Sequence, residues 1–531
     1  MGLVKNKLGM TVTALALAGI ISCGQKKDAG IQIETLQPTM PVLAKKERNA
    51  ILHMGITLTD TLESRQLETF TFSFEGTTDI NDIAQATVLY GETGNMEEET
   101  VFGTITKPTA TFTITGSSPI RSGEHNFWLS VELKDIPELT HKINAELVSI
   151  KLNDGTEVRP KITSGMSPQR IGIALKQAGE DNIDTYRIPG LATTNKGTLI
   201  AVYDNRYNDP VDLQEDIDVG MSRSTDGGQT WEPMKVIMDM GEYGGLSEDQ
   251  NGIGDPAVLV DKNTNTIWVA ALWLHGHPGE RAWNASQPGM LPKETGQLIL
   301  VKSEDDGVTW SKPVNITSMT KKPEWQLFFN GPGSGITMEN GTLVFAAQYK
   351  DKDRVPHSTI IYSEDGGQSW TVGTGAKSET TEAQVVEISN GVLMLNMRDD
   401  RNRSNRNDSI NGRSVAISND MGKTWEEHPT SREALIEPNC MASIIVYEHP
   451  ERGKILFFSN PNSKTKRNHI TIKTSFDGGM SWPEKNQLEL YEEGTYGYSC
   501  LTMVDEDHIG ILYEGVKELY FQKIPISDLI Q

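Results

Sequence analysis

Apolar and polar residues alternate in short runs along the first third of this chain. Examples are Glu68-Thr-Phe-Thr-Phe-Ser-Phe74, Ala86-Thr-Val-Leu-Tyr90, Thr109-Ala-Thr-Phe-Thr-Ile114 and His125-Asn-Phe-Trp-Leu-Ser-Val131. A strand turns successive side chains to opposite faces, so alternation predicts strands with one buried face. The length and spacing of these runs predict a small β-sandwich over residues 48–168. Further β-rich runs follow, such as Thr266-Ile-Trp-Val-Ala-Ala-Leu-Trp273, Gln297-Leu-Ile-Leu-Val-Lys302, Ser358-Thr-Ile-Ile-Tyr362 and Val392-Leu-Met-Leu-Asn-Met397. The pattern therefore predicts an all-β protein.

The later runs are punctuated by a repeat. Ser224-Thr-Asp226-Gly-Gly228-Gln-Thr230-Trp231 recurs at Ser303–Trp310, Ser363–Trp370, Ser418–Trp425 and Ser475–Trp482, as Ser-x-Asp-x-Gly-x-(Thr/Ser)-Trp. From Asp to Asp the steps are 79, 60, 55 and 57 residues. Such a period marks a repeat architecture whose units bury a core by stacking on their neighbours. Within one copy, the Asp side chain bonds the backbone ahead of it and Gly accepts positive φ, which predicts a hairpin turn with the Trp packed into the sheet. Residues 169–531 allow about 60 residues for each of six such units. The long first step holds an insertion from His275 to Gly296, rich in Gly, Pro, Trp and His. Such a loop is a natural pocket wall.

The N-terminus breaks the pattern. Lys5 and Lys7 precede an apolar run from Met10 to Ile21, too short to span a bilayer and fitting a signal peptide over 1–22. It ends Ile20-Ile21-Ser22-Cys23, which resembles a bacterial lipobox with Cys23 as the lipidated residue. Residues 23–47 are polar and Lys-rich and read as a tether. A lipid anchor is then the only membrane contact expected, placing the protein at the periplasmic face or cell surface of a bacterial envelope.

The net charge of −23 argues against a nucleic-acid partner. It also means that any anion site needs a local cluster of Arg. Three Cys are too few for a disulfide framework, and whether Cys440 pairs with Cys500 stays open. The His residues show no ligand spacing with carboxylates, so neither a metal nor another cofactor is expected.

The repeat resembles the Asp box of sialidases and some other β-propellers. Tyr186-Arg187-Ile188-Pro189 resembles the signature that opens sialidase catalytic domains, and the likeness continues through Asp204-Asn-Arg206, Gly254-Asp255-Pro256, Glu382-Ala-Gln-Val-Val-Glu387, Asn396-Met-Arg398, Arg467-Asn468 and Tyr498-Ser499. These residues are similar to those of bacterial exo-α-sialidases of glycoside hydrolase family 33. The resemblance implies a six-bladed β-propeller catalytic domain and hydrolysis of terminal α-linked sialic acids on glycoconjugates. The preceding domain resembles the accessory domains of secreted bacterial glycosidases. An intramolecular trans-sialidase or transglycosylase, and a non-catalytic sialoglycan-binding propeller, are the alternatives.

The resemblance also implies roles. Sialic acid carries a carboxylate on its anomeric carbon, and planar guanidinium groups clamp a carboxylate better than Lys does. Arg187, Arg398 and Arg467 match the three clamping Arg, although Arg401, Arg403, Arg406 and Arg413 crowd the second. Glu514 matches the acidic residue that holds the first Arg. A carboxylate nucleophile would be repelled by the substrate's own carboxylate, and sialidases use a Tyr instead. Tyr498 matches it, with Tyr496 nearby, and Glu382 matches the Glu that takes its proton. Asp212 matches the acid/base, with Asp209 as the competing position, and a raised pKa is expected for it. Arg206 borders the same pocket, and Asp255 resembles an Asp that contacts the ring substituents.

Overall fold

A computed structural model describes residues 30–59, 65–91, 98–164, 167–213, 215–276, 281–403 and 410–530. The expected signal peptide and Cys23 lie outside the described residues. The protein is all-β, and no helix among the described residues is long and apolar enough to cross a membrane. The chain forms two compact units, one holding residues up to Pro137 with His141–Gln169, the other Glu138–Thr140 with the chain from Arg170 onward.

In the first unit a six-stranded sheet runs Ile162–Ser164, Ile31–Leu36, Asn49–Leu58, Gly123–Leu133, Ile83–Gly91 and Thr100–Thr106. A four-stranded sheet runs Glu157–Val158, Glu146–Leu152, Arg65–Ser73 and Thr111–Ile120. Alternation drives their packing: Phe70 and Phe72 leave one face of Arg65–Ser73 together, and the Phe70 ring meets Phe102 and Phe127 of the other sheet at 5.1 Å each. The tether expected over residues 23–47 needs correction. Ile31–Leu36 pairs with Asn49–Leu58 inside the six-stranded sheet, burying Ile31, Ile33 and Thr35, and Val42–Ala44 is also a strand. Ile31 and Ile33 alternate with Gln32 and Glu34, but Thr35 breaks the apolar pattern and the polar, Lys-rich composition around them masked the signal. Asp79, Asp82 and His141 also gather here, a carboxylate–His set that sequence spacing did not reveal. Buried Asp82 already has its countercharge in Lys134 Nζ at 2.9 Å, and His141 Nδ1 lies at 2.7 Å.

The second unit holds, among the described residues, six sheets in chain order. The first uses Thr185–Thr193, Leu199–Arg206, Ile217–Ser224 and Lys235–Met238, and the second Asn251–Val260, Ile267–His275, Gln297–Ser303 and Val314–Asn315. The third is built on Leu327–Asn330, Leu343–Lys350, Pro356–Ser363 and Thr371–Val372, and the fourth on Thr380–Ser389, Val392–Asp399, Ser414–Ser418 and Glu426–Glu427. Ser443–His449, Gly453–Pro461, Ile470–Ser475 and Gln487–Tyr491 make the fifth. The sixth joins Ser499–Asp505, His508–Glu514 and Leu519–Pro525 to Gln169–Lys176 from the start of the unit. The first strand of each later sheet contacts the sheet before it, and the sixth sheet contacts the first.

The five repeats close the turn between the third and fourth strands of the first five sheets. The sixth has none because the strand beside Leu519–Pro525 comes from the other end of the unit, leaving no hairpin to close. In the first copy Asp226 accepts from Ser224 Oγ at 2.8 Å, Thr230 N at 2.9 Å and Thr230 Oγ1 at 2.6 Å, while Gly228 N donates to Ser224 Oγ at 2.9 Å. The boxes also press on the preceding sheet rather than only into their own. A Cβ at Gly228 would sit 2.2 Å from Phe521, and one at Gly367 2.3 Å from Trp268. The Trp rings follow, Trp231 meeting Phe521 at 5.2 Å and Trp370 meeting Trp268 at 6.2 Å. In the second copy Asp306 stands where three of the other copies have Gly. It adopts φ 66° and accepts from Thr194 and Thr198 of the first sheet at 2.7 Å each.

Register places the chemistry. Thr185 pairs with Arg206 and Arg206 with Ile217, so these ends lie together, opposite the end where Leu199 pairs with Ser224 of the box. The start of every first strand and the end of every second strand therefore face away from the boxes.

Candidate active site

The expected site residues come from that face. Arg187 lies in the first strand of the first sheet and Arg206 ends its second strand. Asp212 follows in the loop to the third strand. Asp255 belongs to the first strand of the second sheet, Glu382 to that of the fourth, and Arg398 to the second strand of the fourth. Arg467 precedes the third strand of the fifth sheet, Tyr498 immediately precedes the sixth sheet, and Glu514 ends its second strand.

Three of these first strands are irregular where the functional residue sits. The register shifts between Arg187 and Gly190, between Gly254 and Ala257, and between Thr380 and Ala383. A bulge turns a side chain out of the ladder, and here it frees Arg187, Asp255 and Glu382 from their sheets. Ile188 at φ 55° and Asp255 at φ 54° occupy left-handed backbone that a β-branched residue or an Asp adopts at a cost.

Three guanidinium groups surround one phenol. The Tyr498 hydroxyl donates to Glu382 Oε1 in a very short hydrogen bond, and Arg398 Nη1 donates to the Tyr498 oxygen at 3.0 Å and to Glu382 Oε2 at 2.5 Å. The Arg187 and Arg467 guanidinium carbons lie 5.3 Å and 5.6 Å from the centre of the Tyr498 ring. Burial, followed by the Glu382 charge, pushes the Tyr498 phenol well above its ordinary value, against the pull of Arg398 and Arg467. The free protein therefore holds a neutral phenol with a proton acceptor already in contact.

Glu514 is fully buried and fixes this group from behind. Oε1 accepts from Arg187 Nε and Ile188 N at 3.0 Å each, and Oε2 accepts from Tyr498 N at 2.8 Å. Asn439, which no sequence signal marked, does the same on the other side. Its Oδ1 accepts from Arg398 Nη2 at 2.9 Å and its carbonyl from Arg467 Nη2 at 3.0 Å. Tyr496 stacks under Arg187 at 4.8 Å, and its carbonyl accepts from Arg467 Nη1 at 2.9 Å. Arg401 and Arg403 pair with Asp399 and Asp400, and Arg413 is buried against Glu437, so Arg398 alone of that described group faces Tyr498. Arg406 lies outside the described residues.

A second cluster faces this one. Asp212 Oδ1 meets Arg206 Nη1 at 2.5 Å and Arg187 Nη1 at 3.7 Å, and its side chain is 67% exposed. Asp209 instead accepts from Val211 N at 2.6 Å and shapes the turn. The raised pKa expected for Asp212 is corrected. Burial pushes it up, but Arg206 and Arg187 outweigh that and hold it below the ordinary carboxylate range. Asp204, part of the Asp204-Asn-Arg206 motif but given no role by the resemblance, is fully buried. It binds Arg206 at 2.8 Å, accepts from Asp255 N at 2.9 Å, and is pushed up to about 6, chiefly by burial. Burial and the neighbouring Asp204 and Asp212 push Asp255 well above its ordinary value. Cys440 and Cys500 are both buried and free.

Known proteins resemble this chain over most of its length. Residues 188–485 match the BNR repeat-like domain and residues 30–156 the N-terminal domain of BNR-repeat neuraminidase. The chain is 48% identical over 431 residues to a sialidase of Bacteroides fragilis, covering 80% of this chain and 78% of that protein. It is 31% identical over 348 residues to a sialidase of Micromonospora viridifaciens, covering 63% of this chain and half of that longer protein. A solved Hadza microbial sialidase superposes with a TM-score of 0.87 at 40% identity, over 94% of this chain and all of that one. With an Arg cluster around a Tyr–Glu pair, BNR repeats and relatives of this closeness, the chain belongs to the bacterial BNR-repeat exo-α-sialidases, a family of glycosidases.

Proposed function

We propose that this six-sheet unit is a six-bladed propeller that releases terminal sialic acid with retention, using Tyr498 as nucleophile. The observation that carries the reading is the convergence of Arg187, Arg398 and Arg467 on a phenol already bonded to Glu382. A sugar carboxylate drawn to the three guanidinium groups brings its anomeric carbon beside the phenol oxygen. Arg398 shares its Nη1 between Glu382 and Tyr498, so it stabilises the phenolate as the proton leaves. Glu382 takes that proton, the Tyr498 oxygen bonds the anomeric carbon, and the glycosidic oxygen departs with a proton from Asp212. Water, deprotonated by Asp212, then displaces Tyr498, which regains its proton from Glu382. Two inversions give net retention.

Asp212 is deprotonated in the free protein and must acquire a proton to act as an acid. Substrate binding supplies the reason. A sugar carboxylate on Arg187 shares the charge that held Asp212 low and adds a second anion nearby, and both effects raise its pKa. Asp255, whose carboxyl is pushed up by burial and its acidic neighbours, is suited to contact a ring hydroxyl.

The test is covalent capture. A 2,3-difluorosialic acid, losing its C2 fluoride, should label the wild-type protein on the peptide carrying Tyr498, and Tyr498→Phe should take no label there. Release of fluorophore from 4-methylumbelliferyl α-sialoside should fall by about a hundredfold or more in that variant. A label on another residue would overturn the nucleophile, and no release by folded wild-type protein would overturn the activity.

A further inference from the structure

The residue after Asp212 does not follow it into the open cleft. Leu213 is 4% exposed and packs in a small cluster with Leu272, Leu274, Leu327 and Phe329 of the second and third sheets. Its backbone is left-handed, φ 49°, a conformation that a Leu holds only when its surroundings repay the strain. Asp212 and Leu213 thus point apart, one carboxylate to the arginines and one isobutyl group into an apolar socket.

Trp283 covers that socket. It stands in the short helix Ala282–Ala285 of the insertion, packs on the cluster and meets Phe329 edge-on at 6.3 Å. The insertion is itself clamped to the third sheet. Lys350 Nζ donates to the Trp283 carbonyl at 2.8 Å and lies 4.8 Å from the centre of its ring, while Ser286 Oγ donates to the Gln326 carbonyl at 2.6 Å. An ammonium over an indole face is favourable, more so when desolvated, and Lys350 is only 3% exposed.

We infer that Leu213 and Trp283 are positioning residues for Asp212: the insertion caps a socket that grips the acid/base loop by the one side chain next to the acid. The physical need is evident from exposure. Asp212 is mostly solvent-facing and tied within the site by ion pairs to Arg206 and Arg187, and the Arg187 pair weakens when a substrate carboxylate takes that arginine. The socket remains when that pair is lost, and a proton donor misplaced by about an ångström loses much of its effect.

This rests on the proposed acid role of Asp212, and the experiment separates the two. The readout is kcat/KM on two substrates, because it covers only the step in which the leaving group departs. An aryl sialoside leaves as a stabilised phenolate and needs little protonation, whereas sialyllactose must leave with a proton. Leu213→Ala and Trp283→Ala should each lower kcat/KM for sialyllactose by about a hundredfold, within the range general acids supply, and for the aryl sialoside by no more than about fivefold. Trp283→Phe, which refills the socket, should restore most of the loss. Asp212→Ala should show the same selectivity more strongly. Equal losses on both substrates in the Leu213 and Trp283 variants, with selectivity intact in Asp212→Ala, would overturn the positioning role and leave the mechanism standing. Equal losses in Asp212→Ala itself would overturn the acid assignment, and the inference with it.

Discussion

Glu514→Gln changes one oxygen to an amide and removes one charge, at the point where the clamp and the nucleophile are tied together. Three N–H groups share the two Glu514 oxygens: Arg187 Nε and Ile188 N on one, and Tyr498 N on the other. An amide has one oxygen and one donor. It can keep the Arg187 side and then sets an NH2 against Tyr498 N, or keep Tyr498 and confront two donors. At least one buried N–H is orphaned, at about 1–3 kcal/mol. Removing one member of a buried ion pair costs about 3–5 kcal/mol. Arg187 keeps part of its compensation from Asp212 at 3.7 Å, and the amide oxygen keeps a neutral hydrogen bond, so the lower end applies. We expect a loss of about 3 kcal/mol, read by calorimetry as a fall in Tm of roughly 4 °C for a unit of this size. Because the strain sits between Arg187 and Tyr498, the same energy should appear in the reaction as a drop of about a hundredfold in kcat/KM on the aryl sialoside. A Tm within one degree of wild type, together with kcat/KM within about threefold, would refute the reasoning.

Two further outcomes follow from titration. Asp212 is held low by Arg206 and Arg187 in the free enzyme and should rise when a sugar carboxylate occupies Arg187, so the basic limb of kcat should lie at higher pH than that of kcat/KM; coincident limbs in pH–rate profiles would contradict this. Lys473 is 2% exposed beside the Phe458 ring, no hydrogen bond or ion pair holds its ammonium among the described residues, and burial lowers it to about 7. The unfolded chain then binds the extra proton between about pH 7 and 10.5, stability rises with pH across that window, and Lys473→Met should stabilise by up to about 5 kcal/mol below it and by little above it. Urea denaturation at about pH 6 and about pH 10 checks this, and an equal gain at both would show that packing rather than charge was relieved.

The sequence alone determined what depends on neighbours along the chain. Each Asp box closes through contacts no more than four residues apart, as between Asp226 and Thr230, so five copies announced five hairpin turns without any tertiary information. Alternation at Phe70 and Phe72 announced a half-buried strand for the same reason, since the period belongs to the backbone. The site was legible only by resemblance, residue by residue, because Arg187 and Glu514 are 327 positions apart and nothing local links them.

What tertiary structure alone decided was where side chains end and what charge surrounds them. Asn439 gives no sequence signal, yet it bridges Arg398 and Arg467 because the start of the fifth sheet is carried up to the fourth. Composition hid the strand Ile31–Leu36 because its partner, Asn49–Leu58, supplies the burial that the segment's own polarity denies. Asp212 was expected to be raised by a water-poor site near other carboxylates, and folding reversed that by setting Arg206 and Arg187 against it. A pKa is the sum of burial and opposing charges at a few ångströms. Sequence names the charges, but only the fold sets the distances over which they act.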